Sequence, residues 1–130
     1  MPYPSDLRYT KEHEWARLQP DGTSVVGITS FAQEELGDIV FVDLPPAGRR
    51  LDQFAKFGEI ESVKTVSNLY LPLGGEVIAV NDKLKAQPEL VNRDPYGEGW
   101  LIRVRVADPA QAQALMSAAD YERFLGKGKG

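Results

Sequence analysis

In the stretch Gly58-Glu59-Ile60-Glu61-Ser62-Val63-Lys64-Thr65-Val66-Ser67-Asn68 a lone amine follows two carboxylates and precedes a polar turn. The chemistry open to Lys64 is covalent modification, because an amine on a tight exposed turn of a rigid sheet is reachable with a fixed approach geometry. The ordinary alternative is a solvated lysine at a hairpin tip. Alternation along the preceding strand puts Glu59 and Glu61 on one wet face, where such residues commonly serve only solubility. His13 stands between Glu12 and Glu14 and invites an acid–base dyad, but beside Trp15 it reads as a residue that orders the N-terminal segment. Gly74-Gly75, Gly97 and Gly99 are turn glycines, since no glycine-rich run opens a helix with a lysine. Trp15 and Trp100 read as core.

Composition removes further classes. The chain has 130 residues, enough for one domain with its own core, and its net charge of -4 disfavours nucleic acid or an anionic membrane as the main partner. With no cysteine and one histidine, disulfides, thiolate zinc sites and cysteine nucleophiles are excluded. The N-terminal residues lack the apolar core of a signal peptide, and no stretch has the length of a membrane span. A cytoplasmic protein is expected.

The elements that must position Lys64 are mostly strands. Short β-rich runs bounded by Gly, Pro, Asn or Asp fall at residues 24–28, 39–44, 57–63, 69–71, 76–80 and 100–106, a spacing that suits an antiparallel sandwich or barrel. In the last run Ile102, Val104 and Val106 alternate with Arg103 and Arg105, which predicts a sheet with one wet face. Ser30 to Gln33 has capping-box spacing and Gly37 closes that segment, giving a helix of about two turns. Asp108-Pro109 opens a second helix through Leu115 and Met116, and Ser117 caps a third that stops at Gly126. The remaining Gly-Lys tail is expected to be flexible. Gly37-Asp38-Ile39-Val40-Phe41-Val42-Asp43 and Gly75-Glu76-Val77-Ile78-Ala79-Val80-Asn81 share one pattern, either by coincidence or as an internal repeat whose two hairpin units flank Lys64.

Glu61-Ser62-Val63-Lys64, preceded by Gly58-Glu59-Ile60 and followed by Leu71-Pro72-Leu73-Gly74-Gly75-Glu76-Val77, resembles the lipoyl-attachment region of the glycine cleavage system H-protein family. His13-Glu14-Trp15, Gly27-Ile28-Thr29, Val40 to Pro45, Leu90-Val91-Asn92 and Pro95 to Trp100 agree with that family in order, so the resemblance runs from about Tyr9 to Phe124. It implies a mainly β fold, a lipoyl-domain-like barrel-sandwich hybrid of antiparallel strands with short helices near residue 32 and at the C-terminus. It also implies one domain over residues 1–126, a lipoyl-binding core at about 24–106, and a tail at 127–130.

The family's role is that of a carrier and not a catalyst. Lipoate joined by an amide to the lysine matching Lys64 receives the aminomethyl group of glycine from glycine decarboxylase. It passes that group to the aminomethyltransferase and is reoxidised by dihydrolipoyl dehydrogenase. Glu61 matches the acid read by the lipoate ligase or lipoyl transferase. In the groove where the loaded arm docks, Glu14 is the leading candidate for the negative charge, with Asn68 as a neutral acceptor and Glu35 as a second charge. This chain departs from common family choices at Thr65, Asn68 and Glu35, which often are Ala, Asp and His. An H-like lipoate relay would keep the same lysine. A biotin carrier would set it between methionines, an acyl-carrying lipoyl domain would place Asp before it, and a hydrolase built on His13 has no nucleophile elbow to offer.

Overall fold

The computed structural model describes residues 3–129. Along the chain β1 (Arg8–Tyr9), β2 (Glu14–Leu18) and β3 (Thr23–Ile28) lead into α1 (Ser30–Leu36), followed by β4 (Ile39–Asp43), β5 (Arg50–Leu51), β6 (Lys56–Ser62), β7 (Val66–Tyr70) and β8 (Gly75–Val80). Two single-turn helices, α2 (Lys83–Ala86) and α3 (Leu90–Arg93), precede β9 (Ile102–Val106), a 3-10 helix (Pro109–Ala114) and α4 (Ala118–Lys129). The strands form a six-stranded sheet in the order β1-β2-β3-β9-β8-β5 and a three-stranded sheet in the order β4-β6-β7. Every pairing is antiparallel. No described helix is long and apolar enough to cross a membrane.

The main core lies between the sheets. Val26, Ile28, Val77, Ile102 and Val104 from the larger sheet meet Ile39, Phe57, Ile60 and Leu69 from the smaller. In β6 the alternation changes phase at a bulge between Lys56 and Gly58, which is why Phe57 and Ile60 both face inward although they are three apart. Glu59 and Glu61 remain on the outer face, as the alternation predicts.

Several expectations need correction. The alternation of β9 holds, with Arg103 and Arg105 exposed, but the same sheet is covered on both faces at β2 and β3. There α4 and the N-terminal segment bury Trp15, Val25 and Tyr121 in a second cluster, so the wet face is confined to one end. The cap of α1 is Thr29, whose hydroxyl accepts from Ala32 N, while Ser30 is the first helical residue and its N–H and hydroxyl go to the Tyr96 hydroxyl. Asp108 caps the next segment as expected, yet it is a 3-10 helix that ends at Ala114, because Met116 pairs with Tyr9 and pulls the chain out straight. The last helix passes through Gly126 to Lys129. A glycine stops a helix by turning left-handed, and Gly126 does not. The expected tail at Gly130 lies outside the described residues.

The repeated sequence pattern has a structural counterpart. Gly37 and Gly75 both have positive φ, and β4 and β8 each carry a register shift at the fourth residue of the pattern, Val40 and Ile78. The coincidence reading explains the shared residues but not a shared bulge.

Trp15 and Gly27 face each other across β2 and β3. The buried indole donates to Ile28 O at 2.9 Å and Pro95 O at 3.1 Å, and a Cβ added at Gly27 would stand 2.5 Å from its ring. Gly27→Ala is therefore expected to lower unfolding free energy by about 1–3 kcal/mol through overpacking. Urea denaturation followed by tryptophan fluorescence measures it, and wild-type stability would show that the indole moves aside freely.

Candidate functional site

Lys64 is the middle residue of the three-residue tip of the β6–β7 hairpin, and the side chain of Ser62 organises that tip. Ser62 is buried, and its hydroxyl accepts from Lys64 N at 3.3 Å and Thr65 N at 3.2 Å while its own N–H donates to Thr65 O at 2.8 Å. Val63 N donates to Asp38 O at 3.0 Å, tying the tip to the loop after α1. That loop is held in turn by Asn92 of α3, which accepts from Ile39 N at 2.8 Å and donates to Gly37 O at 2.9 Å and Gln33 Oε1 at 3.0 Å. Lys64 itself is exposed, and its Cε lies 3.5 Å from where a Gly37 Cβ would stand. An exposed side chain is thus mounted on a turn held by its own hydrogen bonds. Neither Ser62 nor Asn92 was given a role from the sequence: Ser62 acts on amides two and three residues on, through a turn geometry that no pattern marks, and Asn92 acts on partners up to 59 residues away.

Glu61 is exposed on the outer face of β6, three residues before the amine, as the strand alternation requires. Glu14 is the opposite case. It is 1 % exposed at the start of β2, and its carboxylate accepts from the Thr10 hydroxyl at 2.6 Å and from Tyr70 N at 3.1 Å. Desolvation dominates, so burial pushes this carboxyl up to about 7 from an ordinary 4.5, against the pull of those two hydrogen bonds. Glu14 lines a cleft of about 490 Å³ with Tyr9, Thr10, Phe54, Tyr70 and Met116.

The other two candidates stand outside that cleft lining. Asn68 is exposed on β7 between Lys64 and Tyr70, and its amide donates to the Tyr70 hydroxyl at 3.2 Å, so it is linked to Glu14 through Tyr70. Glu35 is exposed on α1, close enough for its charge to act on His13. His13 orders the N-terminal segment, as expected: its Nδ1 is 2.7 Å from the Tyr121 hydroxyl, its ring lies 4.8 Å from Phe31, and burial lowers its pKa.

One residue of the cleft was not legible in the sequence. Phe54 sits at φ 66, a left-handed conformation that is costly for an aromatic residue, with its N–H donating to Leu71 O at 2.6 Å. Its ring is 48 % exposed on the cleft wall, so the strain is not repaid by full burial.

The raised pKa of Glu14 has a definite consequence for stability. Between pH 4.5 and 7 the folded chain keeps a proton that the unfolded chain releases, so this group makes stability fall as pH rises through that window. The size is roughly 3 kcal/mol. The lowered pKa of His13 acts in the other sense below its ordinary value of 6.5, where stability rises with pH. Taking wild type minus Glu14→Gln isolates the carboxylate: the difference in unfolding free energy should drop by roughly 2–3 kcal/mol from pH 5 to pH 8. A difference that is flat across those pH values would contradict the burial argument.

The model of the family described as "Glycine cleavage H-protein" matches residues 7–128. A glycine cleavage system H protein of Chlorobium limicola is 54% identical over 128 residues, 98% of this chain and 100% of that protein. One from Symbiobacterium thermophilum is 53% identical over 125 residues, 96% of this chain and 97% of that protein. Among solved structures, the crystal structure of a glycine cleavage system H protein from Mycobacterium marinum superposes with a TM-score of 0.82 at 38% identity, covering 98% of this chain and 99% of that one. A match over nearly the full length, on a sandwich whose short hairpin presents Lys64, shows that the chain belongs to the glycine cleavage H-protein family.

Proposed function

We propose that this protein is the lipoyl carrier of a glycine cleavage system, with lipoate attached through an amide to Lys64. The observation that carries the reading is the exposed amine on a turn fixed by Ser62, in a family member that has no cysteine. The residues present fit such a group: the amine is accessible, Gly37 leaves room beneath it, and a buried carboxylate waits in a cleft of the same chain. Bound lipoate would supply the redox-active sulfur that the chain lacks, the chemistry needed to carry the aminomethyl group of glycine between the decarboxylase and the aminomethyltransferase and to be reoxidised by dihydrolipoyl dehydrogenase.

The chain's own residues do the rest. Glu61 presents an exposed carboxylate to the ligase or transferase that modifies Lys64. Glu14 offers an anion in a desolvated setting, where a charge-assisted bond to an ammonium group is strongest. An ammonium arriving there holds Glu14 in its ionised form at neutral pH, relieving the cost of its burial. Asn68 provides a neutral acceptor between the turn and Tyr70, and Glu35 a second charge near His13.

Coexpression with a lipoate ligase and lipoate should add one lipoyl mass, and Lys64→Arg should abolish the increment without changing thermal stability. An increment that persists in Lys64→Arg rules out this attachment point. Glu61→Gln should slow modification with no change in melting temperature. For cargo protection, glycine-derived label is loaded on wild type and Glu14→Gln, the decarboxylase is removed, and formaldehyde release is followed. Faster release from the variant, equivalent to about 1–3 kcal/mol of lost charge-assisted bonding, is expected. Equal rates would remove Glu14 from the docking site.

A further inference from the structure

Among the described residues, six large hydrophobic side chains are exposed, and four of them surround the Lys64 turn: Val40 at 47 %, Phe41 at 55 %, Val63 at 69 % and Val66 at 56 %. Strand register explains the grouping. Phe41 is paired with Glu61 and Glu61 with Val66, so these three side chains form one row across the outer face of the three-stranded sheet, with the carboxylate in the middle. The next row, Asp43, Glu59 and Asn68, is polar. Val40 is pushed outward by the bulge in β4, and Val63 adjoins Lys64 at the tip. Isolated exposed hydrophobics are common, whereas here four are grouped around one exposed amine.

We infer that this apolar seat, Phe41 and Val66 on either side of Glu61, docks the enzyme that acylates Lys64, an acyltransferase or ligase whose active-site mouth is apolar and flanked by basic side chains. The inference rests on Lys64 being the attachment point. It commits to the acylating enzyme because bond formation at Nζ brings the active site within one lysine side chain of the turn, so that enzyme must cover the tip. Partners that act on the far end of an acyl arm have no such requirement. The basic flank follows from the charges: Glu61, Asp43 and Asp38 are exposed on or beside this face, while the exposed Lys56 is engaged by Glu59 at 2.7 Å. Apolar anchors ringed by polar contacts are the usual composition of a binding hot spot.

The test uses Phe41→Thr and Val66→Thr, which keep β-propensity on a solvent face, with Phe41→Leu as the conservative control. Two quantities are read: the dissociation constant of the unmodified protein with a lipoate ligase, and kcat/KM for modification of Lys64. Phe41→Thr should weaken both by about tenfold, Val66→Thr by a smaller factor, and Phe41→Leu should recover most of the loss at unchanged melting temperature. The Phe41→Thr loss should persist at high salt, whereas that of Glu61→Gln should shrink. After exhaustive modification, confirmed by mass, all variants should exchange with glycine decarboxylase within about twofold of wild type. Wild-type binding and kinetics in both threonine variants, with Lys64 still modified, overturn the inference and leave the attachment point standing. Equal losses in ligase binding and decarboxylase exchange overturn its assignment to the acylating enzyme. Failure of wild type to be modified at Lys64 refutes the underlying function instead.

Discussion

One carboxylate ties the edge of the smaller sheet to the larger one. β7 is an edge strand, so the N–H of Tyr70 has no strand partner on its outer side, and Glu14 of the other sheet accepts from it. The second carboxylate oxygen is held by Thr10, whose hydroxyl also accepts from the backbone N–H groups of Glu12 and Glu14. Removing water from an ionised group is expensive unless its lone pairs are occupied, and here they are occupied by groups that would themselves be orphaned without it. The loop from Thr10 to Glu14 follows from that requirement. His13 takes φ 74 inside it, places its ring against Phe31 and Tyr121, and so connects α1 and α4 to the same joint.

At the other end of β7 the design is reversed. Glu14 is a carboxyl group brought inside, whereas Lys64 is an amine kept outside on a turn held by several hydrogen bonds. The hydroxyl of Ser62 takes both amides of the turn, Asp38 takes the N–H of Val63, and Asn92 fixes the loop that carries Asp38. Entropy lost by ordering this turn is lost once, during folding, so a partner meets a preformed surface. β7 spans the distance between the two sites, with the turn that carries Lys64 before its first residue and the N–H that Glu14 accepts from at its last.

How much of this was legible depended on the range of the interactions. The turn, the strands on either side of it, the alternation of β9 and the caps supplied by Ser117 and Asp108 are local and were readable from neighbouring residues. β1 and β5, two residues each, exist only because a partner strand lies beside them, and their sequences carry no period to detect. β2 was missed for a different reason: Glu14 and Arg17 break its apolar pattern, one because it bonds to Tyr70 and the other because it lies over the Trp15 ring and donates to Tyr96 O. The cap of α1 was displaced by one residue because Tyr96, far along the chain, claims Ser30. Of the candidate site, the exposed Lys64 and Glu61 could be placed from periodicity. The burial of Glu14 and the strain at Phe54 are products of tertiary packing.

The repeated pattern shows how one strand design serves two purposes. Ile39 and Val77 are both buried, Val40 and Ile78 both sit at the bulge, and the pattern ends in Asp43 and Asn81. These shared features are the ones that shape a bent strand. The position after the bulge is where the copies diverge, Phe41 in one and Ala79 in the other. β8 lies within the six-stranded sheet between β9 and β5, where a small side chain suffices. β4 is an edge strand beside the Lys64 hairpin, and there the same position carries an aromatic ring that folding leaves in water. Phe41 stays 55 % exposed there, so a large part of the stabilisation its ring would give on full burial is not realised.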